Sequence, residues 1–91
     1  MSIEYDPRKA ESNLRKHKVS FDEAASCLLD PLALAIEDTN AEGEARWLLL
    51  GMSAAGRLLT VCYTLRGDDS IRLISARRAT RKEEKDYAQG I

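Results

Sequence analysis

The chain has 91 residues, of which 44% are hydrophobic and 32% charged, and its formal net charge is −1. We therefore expect one domain over residues 1–91, with one modest core, and exclude a disordered tail or a collagen-like repeat. No apolar run approaches the roughly 20 residues that span a bilayer, and the N-terminus lacks an apolar signal core. We expect a cytoplasmic protein that does not contact membranes.

The first half of the sequence predicts a short edge strand over residues 3–5 and two helices. Asp6 and Pro7 suit the N-cap and first position of a helix. Its inner stripe would consist of three residues at helical spacing: Ala10, Leu14 and His17. Ser20 and Glu23 predict a capping box for a second helix, which ends before Pro31.

The second half predicts mainly strands. A short apolar strand over 32–36 precedes an acidic loop over 38–44. Three strand-like runs joined by short turns then predict an antiparallel meander, over residues 47–52, 58–65 and 71–76. Thr80 and Glu83 form a second capping box and begin a last helix. The predicted order is βααββββα.

The fold class is therefore α+β. We expect an antiparallel sheet, a three-stranded meander plus one or two short strands, packed with two N-terminal helices and one C-terminal helix. In the third meander strand, strict alternation places Leu73 and Arg77 on one face and Arg72, Ala76 and Arg78 on the other.

Charge is uneven along the chain. Residues 1–18 have five Lys or Arg and three Asp or Glu, whereas residues 19–44 have seven Asp or Glu and no basic residue. Residues 45–91 have nine Lys or Arg and five Asp or Glu. The two basic ends could form a surface for an anionic ligand, or the acidic middle could pair with them inside the fold.

Few side chains offer catalytic chemistry. His17 is the only histidine, and histidine is the residue that ordinarily titrates near neutral pH. It could equally cap the first helix from a half-buried position. The two cysteines, Cys27 and Cys62, fit no metal spacing, and we expect them to be reduced and buried. No metal site and no cofactor is expected.

Arginines gather at the strand ends of the meander. Arg46 begins its first strand, and Arg77 and Arg78 end its third beside the last helix. Guanidinium groups and a helix N-terminus both suit phosphate. Alternatively, these arginines pair with the acidic residues of that helix. Tyr63 and Tyr87 could stack on unpaired bases, although such residues more often belong to a core.

The sequence resembles the BrnT family of bacterial type II toxins along nearly its whole length. The strongest segment, residues 71–79, reads Ile-Arg-Leu-Ile-Ser-Ala-Arg-Arg-Ala. The other matching pieces are residues 5–10, 13–17, 19–24 and 30–31, then Glu44, Arg46, Gly51, Glu83, Glu84 and Tyr87. The net acidity departs from the family pattern, as does Lys18, where the family often has glycine.

The resemblance implies a RelE-like fold and an endoribonuclease that halts growth when free. It also implies neutralisation by a BrnA-type antitoxin, in a heterotetramer built on an antitoxin dimer. Promoter DNA would be bound only through the antitoxin. The alternative is a non-catalytic module that binds nucleic acid or protein as a regulatory partner in a two-gene complex.

Metal-independent RNA cleavage needs a group that takes the 2′-hydroxyl proton, a group that protonates the leaving 5′-oxygen, and cations that stabilise the phosphate. We hypothesise that His17 is the general acid or base and that Arg46 and Arg77 contact the phosphate. Tyr63 or Tyr87 would position a base or donate a proton, and Glu44 could instead orient Arg46. Further RNA contacts are predicted for Lys16, Arg72, Arg78 and Tyr87.

Overall fold

A computed structural model of the chain describes residues 2–39, 43, 45–67 and 69–90. Its elements, in chain order, are β1 (Ser2–Glu4), α1 (Pro7–His17), α2 (Phe21–Ser26), a short 3-10 helix (Cys27–Leu29), β2 (Leu34–Asp38), β3 (Arg46–Met52), β4 (Leu58–Arg66), β5 (Ser70–Arg78) and α3 (Arg81–Gln89). The predicted order and the α+β class are confirmed. Part of the acidic loop, including Glu44, lies outside the described residues.

The five strands form one sheet in the order β1-β5-β4-β3-β2. Strands β2 to β5 are a four-stranded antiparallel meander, one strand longer than predicted. The expectation of a purely antiparallel sheet is wrong, because β1 pairs in parallel with the start of β5. The two N-terminal helices connect β1 to the rest of the sheet, so β1 can run in the same direction as β5.

Strand β2 begins two residues later than predicted because Asp30 forms a turn. Its carboxylate accepts a hydrogen bond from the backbone of Leu32, and its carbonyl accepts one from Ala33. The turn therefore occupies the residues that the apolar run assigned to a strand. The same carboxylate also accepts from the backbone of Met52 at the end of β3, which fixes the turn against the sheet.

The core lies between α2 and one face of the sheet. Its largest fully buried side chains are Val19, Cys27, Leu59, Val61 and Leu73. Both cysteines are free and buried, as predicted. The opposite face of the sheet, which we call the open face, is covered in part by α3 near Thr60 and Arg77.

The predicted stripe of α1 is correct for Ala10, which packs against the core, but wrong for Leu14, which is 49% exposed, and for His17, which is exposed. Asn13 is buried in their place. The Asn13 amide donates to the carbonyls of Val19 and Ala76 at 2.9 Å each. Its oxygen accepts from the Ala76 backbone at 3.0 Å. Buried backbone groups require partners, so α1 turns this amide towards the edge of β5 and exposes the leucine.

Strand β5 has a bulge at Ile74. Cys62 pairs with Ser75 and Tyr63 pairs with Leu73, so Ile74 has no partner in β4. The bulge reverses the alternation, which places Leu73 and Ala76 together in the core. The predicted faces are therefore wrong beyond Leu73, and Arg77 lies on the open face.

The helix caps follow the sequence closely. Asp6 caps α1, Ser20 caps α2, and Thr80 forms a complete capping box with Glu83. Glu23 does not complete the box predicted for α2, because its carboxylate binds Arg57 and Ser53 instead. The ion pair between Glu23 and Arg57 joins α2 to the turn between β3 and β4.

Candidate functional site

A cleft of about 330 Å³ lies between α1 and the open face of the sheet. We call it the basic cleft, and its lining residues are Lys9, Ser12, Asn13, Lys16 and His17 of α1, Arg46 of β3, and Ile74 and Ser75 of β5. Four of its eight lining residues are lysine, arginine or histidine, and none is acidic. The basic N-terminal part of the chain therefore meets Arg46 of the basic C-terminal part here, as one of the two charge hypotheses predicted. The pair of Glu23 with Arg57 is of the kind that the other hypothesis predicted.

Helix α1 provides one wall of the basic cleft. Lys9, Ser12 and Lys16 recur at helical spacing and face the sheet, and His17 follows at the helix end. The Asn13 amide holds the same face of the helix against β5. The cationic wall is thus fixed by a buried hydrogen-bonded contact.

The floor of the basic cleft contains Arg46. Its Nε atom is buried and donates to no acceptor among the described residues. Burial raises the pKa of the Cys62 thiol beside it, and the positive charge of Arg46 opposes that rise. The charges of Asp38 and Lys9 also act on this thiol, in opposite directions. A buried donor without a partner in a cationic cleft suits an anionic ligand.

Arg77 lies on the open face but outside the basic cleft. Its guanidinium donates to both carboxylate oxygens of Glu83, at 2.8 and 3.1 Å. The Arg77 guanidinium holds the pKa of Glu83 down at about 2. The alternative prediction, that the strand-end arginines pair with acids of the last helix, is confirmed for Arg77.

Tyr63 is buried in the core on the far side of the sheet, opposite Trp47 of β3. Burial raises the pKa of its hydroxyl. Cys62 and Tyr63 are neighbours in β4 and point to opposite faces, so the cysteine lies on the open face and the tyrosine in the core. The structure does not bring Tyr63 to the site that was predicted for it.

The remaining predicted RNA contacts are dispersed. Arg72 is paired with Glu4 of β1 at 3.4 Å. Arg78 and Tyr87 line a second depression, at the end of the sheet beside α3. The Tyr87 hydroxyl donates to Asp30 at 2.6 Å, and this bond raises its pKa. Of the eight predicted site residues, Lys16, His17 and Arg46 share the basic cleft.

Five residues that line the basic cleft were not predicted as site residues, namely Lys9, Ser12, Asn13, Ile74 and Ser75. The spacing of Lys9 and Ser12 with Lys16 was a usable signal, because residues seven apart share a helix face. Ser75 gave no such signal, since the bulge at Ile74 decides which way it points.

The described ranges contain no group of three or more His, Cys, Asp or Glu placed to hold a metal ion. Within the same ranges, no helix has the length and apolar character needed to cross a membrane.

The fold and the cleft define a class: a small α+β domain with a mixed five-stranded sheet and a cationic cleft at one side of it. A family model described as "Ribonuclease toxin, BrnT, of type II toxin-antitoxin system" matches residues 5–83. The chain therefore belongs to the family of BrnT ribonuclease toxins. A search of curated proteins gave no match.

The fold is also similar to a crystal structure of the ribonuclease toxin BrnT of Brucella abortus. The identity is 24% and the TM-score 0.70, over 89% of this chain and 99% of the other. This likeness supports the mixed-sheet architecture described above.

Proposed function

We propose that this chain is the toxin of a type II toxin–antitoxin pair and cleaves RNA in the basic cleft without a metal ion. The observation that carries the proposal is the meeting of the single histidine with Lys9, Lys16 and the unsatisfied Arg46 Nε in one cleft. The family assignment supplies the substrate class.

In the proposed reaction the 2′-hydroxyl attacks the adjacent phosphorus in line with the 5′-oxygen that leaves. The P–O5′ bond breaks as the new P–O2′ bond forms, giving a 2′,3′-cyclic phosphate and a 5′-hydroxyl. His17 performs one of the two proton transfers, and a lysine of the cleft or water performs the other. Arg46 stabilises the charge on the non-bridging oxygens, and its unsatisfied Nε already needs an acceptor.

The roles hypothesised for Arg72, Arg77, Arg78 and Tyr87 stay predictions, since none of them lines the basic cleft. Tyr63 is left out of the proposal because its ring is part of the core. Growth arrest, neutralisation by a BrnA-type antitoxin in a heterotetramer and promoter binding through that antitoxin belong to the same proposal. A RelE-like fold is the corresponding structural proposal.

The test uses the protein freed of any partner, refolded, and incubated with a defined RNA in EDTA, followed by mapping of both new ends. We expect cyclic phosphate and 5′-hydroxyl ends. The variant His17→Gln should lower the rate by roughly 10²-fold or more, and Arg46→Ala by a similar factor. Arg81→Ala and Lys85→Ala, exposed on α3, are matched controls that should cleave normally.

Full activity in both His17→Gln and Arg46→Ala, with the fold intact by circular dichroism, would remove the basic cleft as the site. RNA that is bound with its ends unchanged would support the alternative of a non-catalytic binding module.

A further inference from the structure

The outer edge of β2 is an open sheet edge. β2 is the last strand of the sheet, and nothing in the described part of the chain pairs with its outer side. It runs alongside β3 through five consecutive residue pairs without a bulge. It contains no Lys, Arg or Pro. Natural edge strands carry charges, Pro or bulges that keep other strands away, and the charges of β2, Glu37 and Asp38, would repel an acidic strand but not a basic one.

An apolar groove adjoins this edge on the open face. Its floor consists of Leu34, Ile36, Leu48 and Leu50, the start of α3 forms the opposite wall, and its volume is about 400 Å³. Ile36 is 64% exposed although it belongs to a strand. The unpaired backbone and the apolar surface therefore lie side by side, which is the combination that an added strand would use.

The charge of β2 favours one kind of binding partner over another. The charged residues of β2 itself are Glu37 and Asp38, and it has no basic residue. Glu37 is exposed on the face of β2 opposite the groove, in register with Trp47 of β3. An acidic edge repels a polyanion such as RNA and attracts a basic peptide.

We propose that the edge of β2 binds an extended segment of a partner protein, which adds a sixth strand to the sheet. Alternate side chains of this segment are apolar and enter the groove over Leu34 and Ile36. The side chains between them are basic and lie beside Glu37 on the other face. This goes beyond the proposed function, because the groove floor and the basic cleft share no residue.

The probe is a capped seven-residue peptide of alternating lysine and valine, titrated into the ¹⁵N-labelled full chain. We expect amide shifts and slowed hydrogen exchange along β2. A glutamate–valine peptide of equal length should not bind. Ile36→Lys should weaken binding of the lysine peptide about tenfold or more, by placing a like charge at the edge. Leu65→Lys, 57% exposed at the end of β4, is the matched control and should bind normally.

Glu37→Lys is a second variant that does not alter the groove. It should weaken binding of the lysine peptide and allow the glutamate peptide to bind. RNA cleavage should be unchanged in all three variants, and an unchanged circular dichroism spectrum shows independently that each has folded. A failure of the ribonuclease proposal alone would leave these binding results as expected.

Several results would overturn the proposal. They are equal binding of both peptides, amide shifts centred outside β2, and insensitivity of the lysine peptide to both Ile36→Lys and Glu37→Lys. If the wild type self-associates in sedimentation equilibrium and Ile36→Lys does not, the edge binds a second copy of the chain. Protection of β2 by RNA would assign it to the nucleic acid.

Discussion

One edge of the sheet is covered by α1, and the other is open. On one side the short β1 pairs with the start of β5, and α1 follows along the rest of that strand. Where β1 ends, the side chain of Asn13 satisfies both backbone groups of Ala76. On the other side, β2 has a regular backbone edge and an exposed isoleucine.

The difference shows how one sheet can provide two unlike surfaces. Where the edge is covered, the covering helix brings lysines and a histidine to the sheet and forms the basic cleft. Where the edge is left open, the edge strand has apolar and acidic side chains, and its backbone is available for pairing. The first surface suits a polyanion such as RNA, and the second suits a basic protein segment.

Removing the contact of Asn13 with β5 at the covered edge should lower stability the most. Asn13→Ala removes three hydrogen bonds and leaves buried backbone groups of Val19 and Ala76 without a partner. We expect a loss of about 2–4 kcal/mol in the free energy of unfolding, measured in urea. Leu14→Ala, on the exposed side of α1, should cost well under 1 kcal/mol.

The same variant tests whether Asn13 positions the cationic wall. If α1 moves away from β5, RNA cleavage should fall even at temperatures where Asn13→Ala remains folded. Normal stability and normal cleavage in Asn13→Ala would mean that the helix is held by its other contacts.

Much of this architecture could be predicted because it depends on local signals. Caps at Asp6, Ser20 and Thr80 and the turns between strands are encoded within a few residues. The face of α1 was missed because an asparagine replaces an apolar residue at its buried position, and only the sheet edge explains that choice. The face of Arg77 was missed because a single extra residue at Ile74 reverses the pleat.

The candidate site could be predicted only in part, because some of its features depend on local signals and others on the whole fold. His17, Lys16 and Arg46 were identified by their chemistry, and chemistry can be read from a sequence. Whether Tyr63 faces the basic cleft or the core depends on which side of the sheet α2 covers, which is a property of the whole fold.

Acid should weaken the contact that holds α3 over the apolar groove. The Arg77 guanidinium lowers the pKa of Glu83 from its ordinary 4.5 to about 2. A folded-state pKa below the unfolded one adds stability above pH 4.5, and this stability is lost as the pH falls from 4.5 towards 2. Because Arg77 is 42% exposed and screened by solvent, we expect this to amount to about 1 kcal/mol.

The measurement is the free energy of unfolding against pH for the wild type and Glu83→Gln. The variant should lack this part of the decline between pH 4.5 and 2, and the exposed Glu84→Gln should retain it. Identical slopes for the wild type and Glu83→Gln would show that the ion pair does not contribute to stability.

The covered edge can also be strengthened at the end of α1. Lys18 has a φ of 58°, in the left-handed region that glycine adopts without cost. Lys18→Gly should therefore raise the unfolding free energy by about 0.5–1 kcal/mol, after allowing for the extra freedom of glycine in the unfolded chain. Its backbone carbonyl, which accepts from Arg57, is retained.

Gly90→Ala is the converse substitution at the corresponding position of α3, where φ is 73° and a methyl group would meet nothing within 4 Å. It should lower stability by a similar amount through the backbone alone. Destabilisation by both substitutions would show that glycine's cost in the unfolded chain exceeds the strain at Lys18.

Substitution at the open edge should change the free energy of unfolding the least. Ile36→Lys replaces a side chain that is already mostly exposed, so we expect the unfolding free energy to change by less than about 0.5 kcal/mol. A loss of unfolding free energy as large as that expected for Asn13→Ala would mean that Ile36 is needed for folding and that the edge is part of the core structure. Near-neutral stability together with loss of peptide binding would instead mean that an exposed isoleucine, which folding does not require, is retained at this edge for contact with a partner.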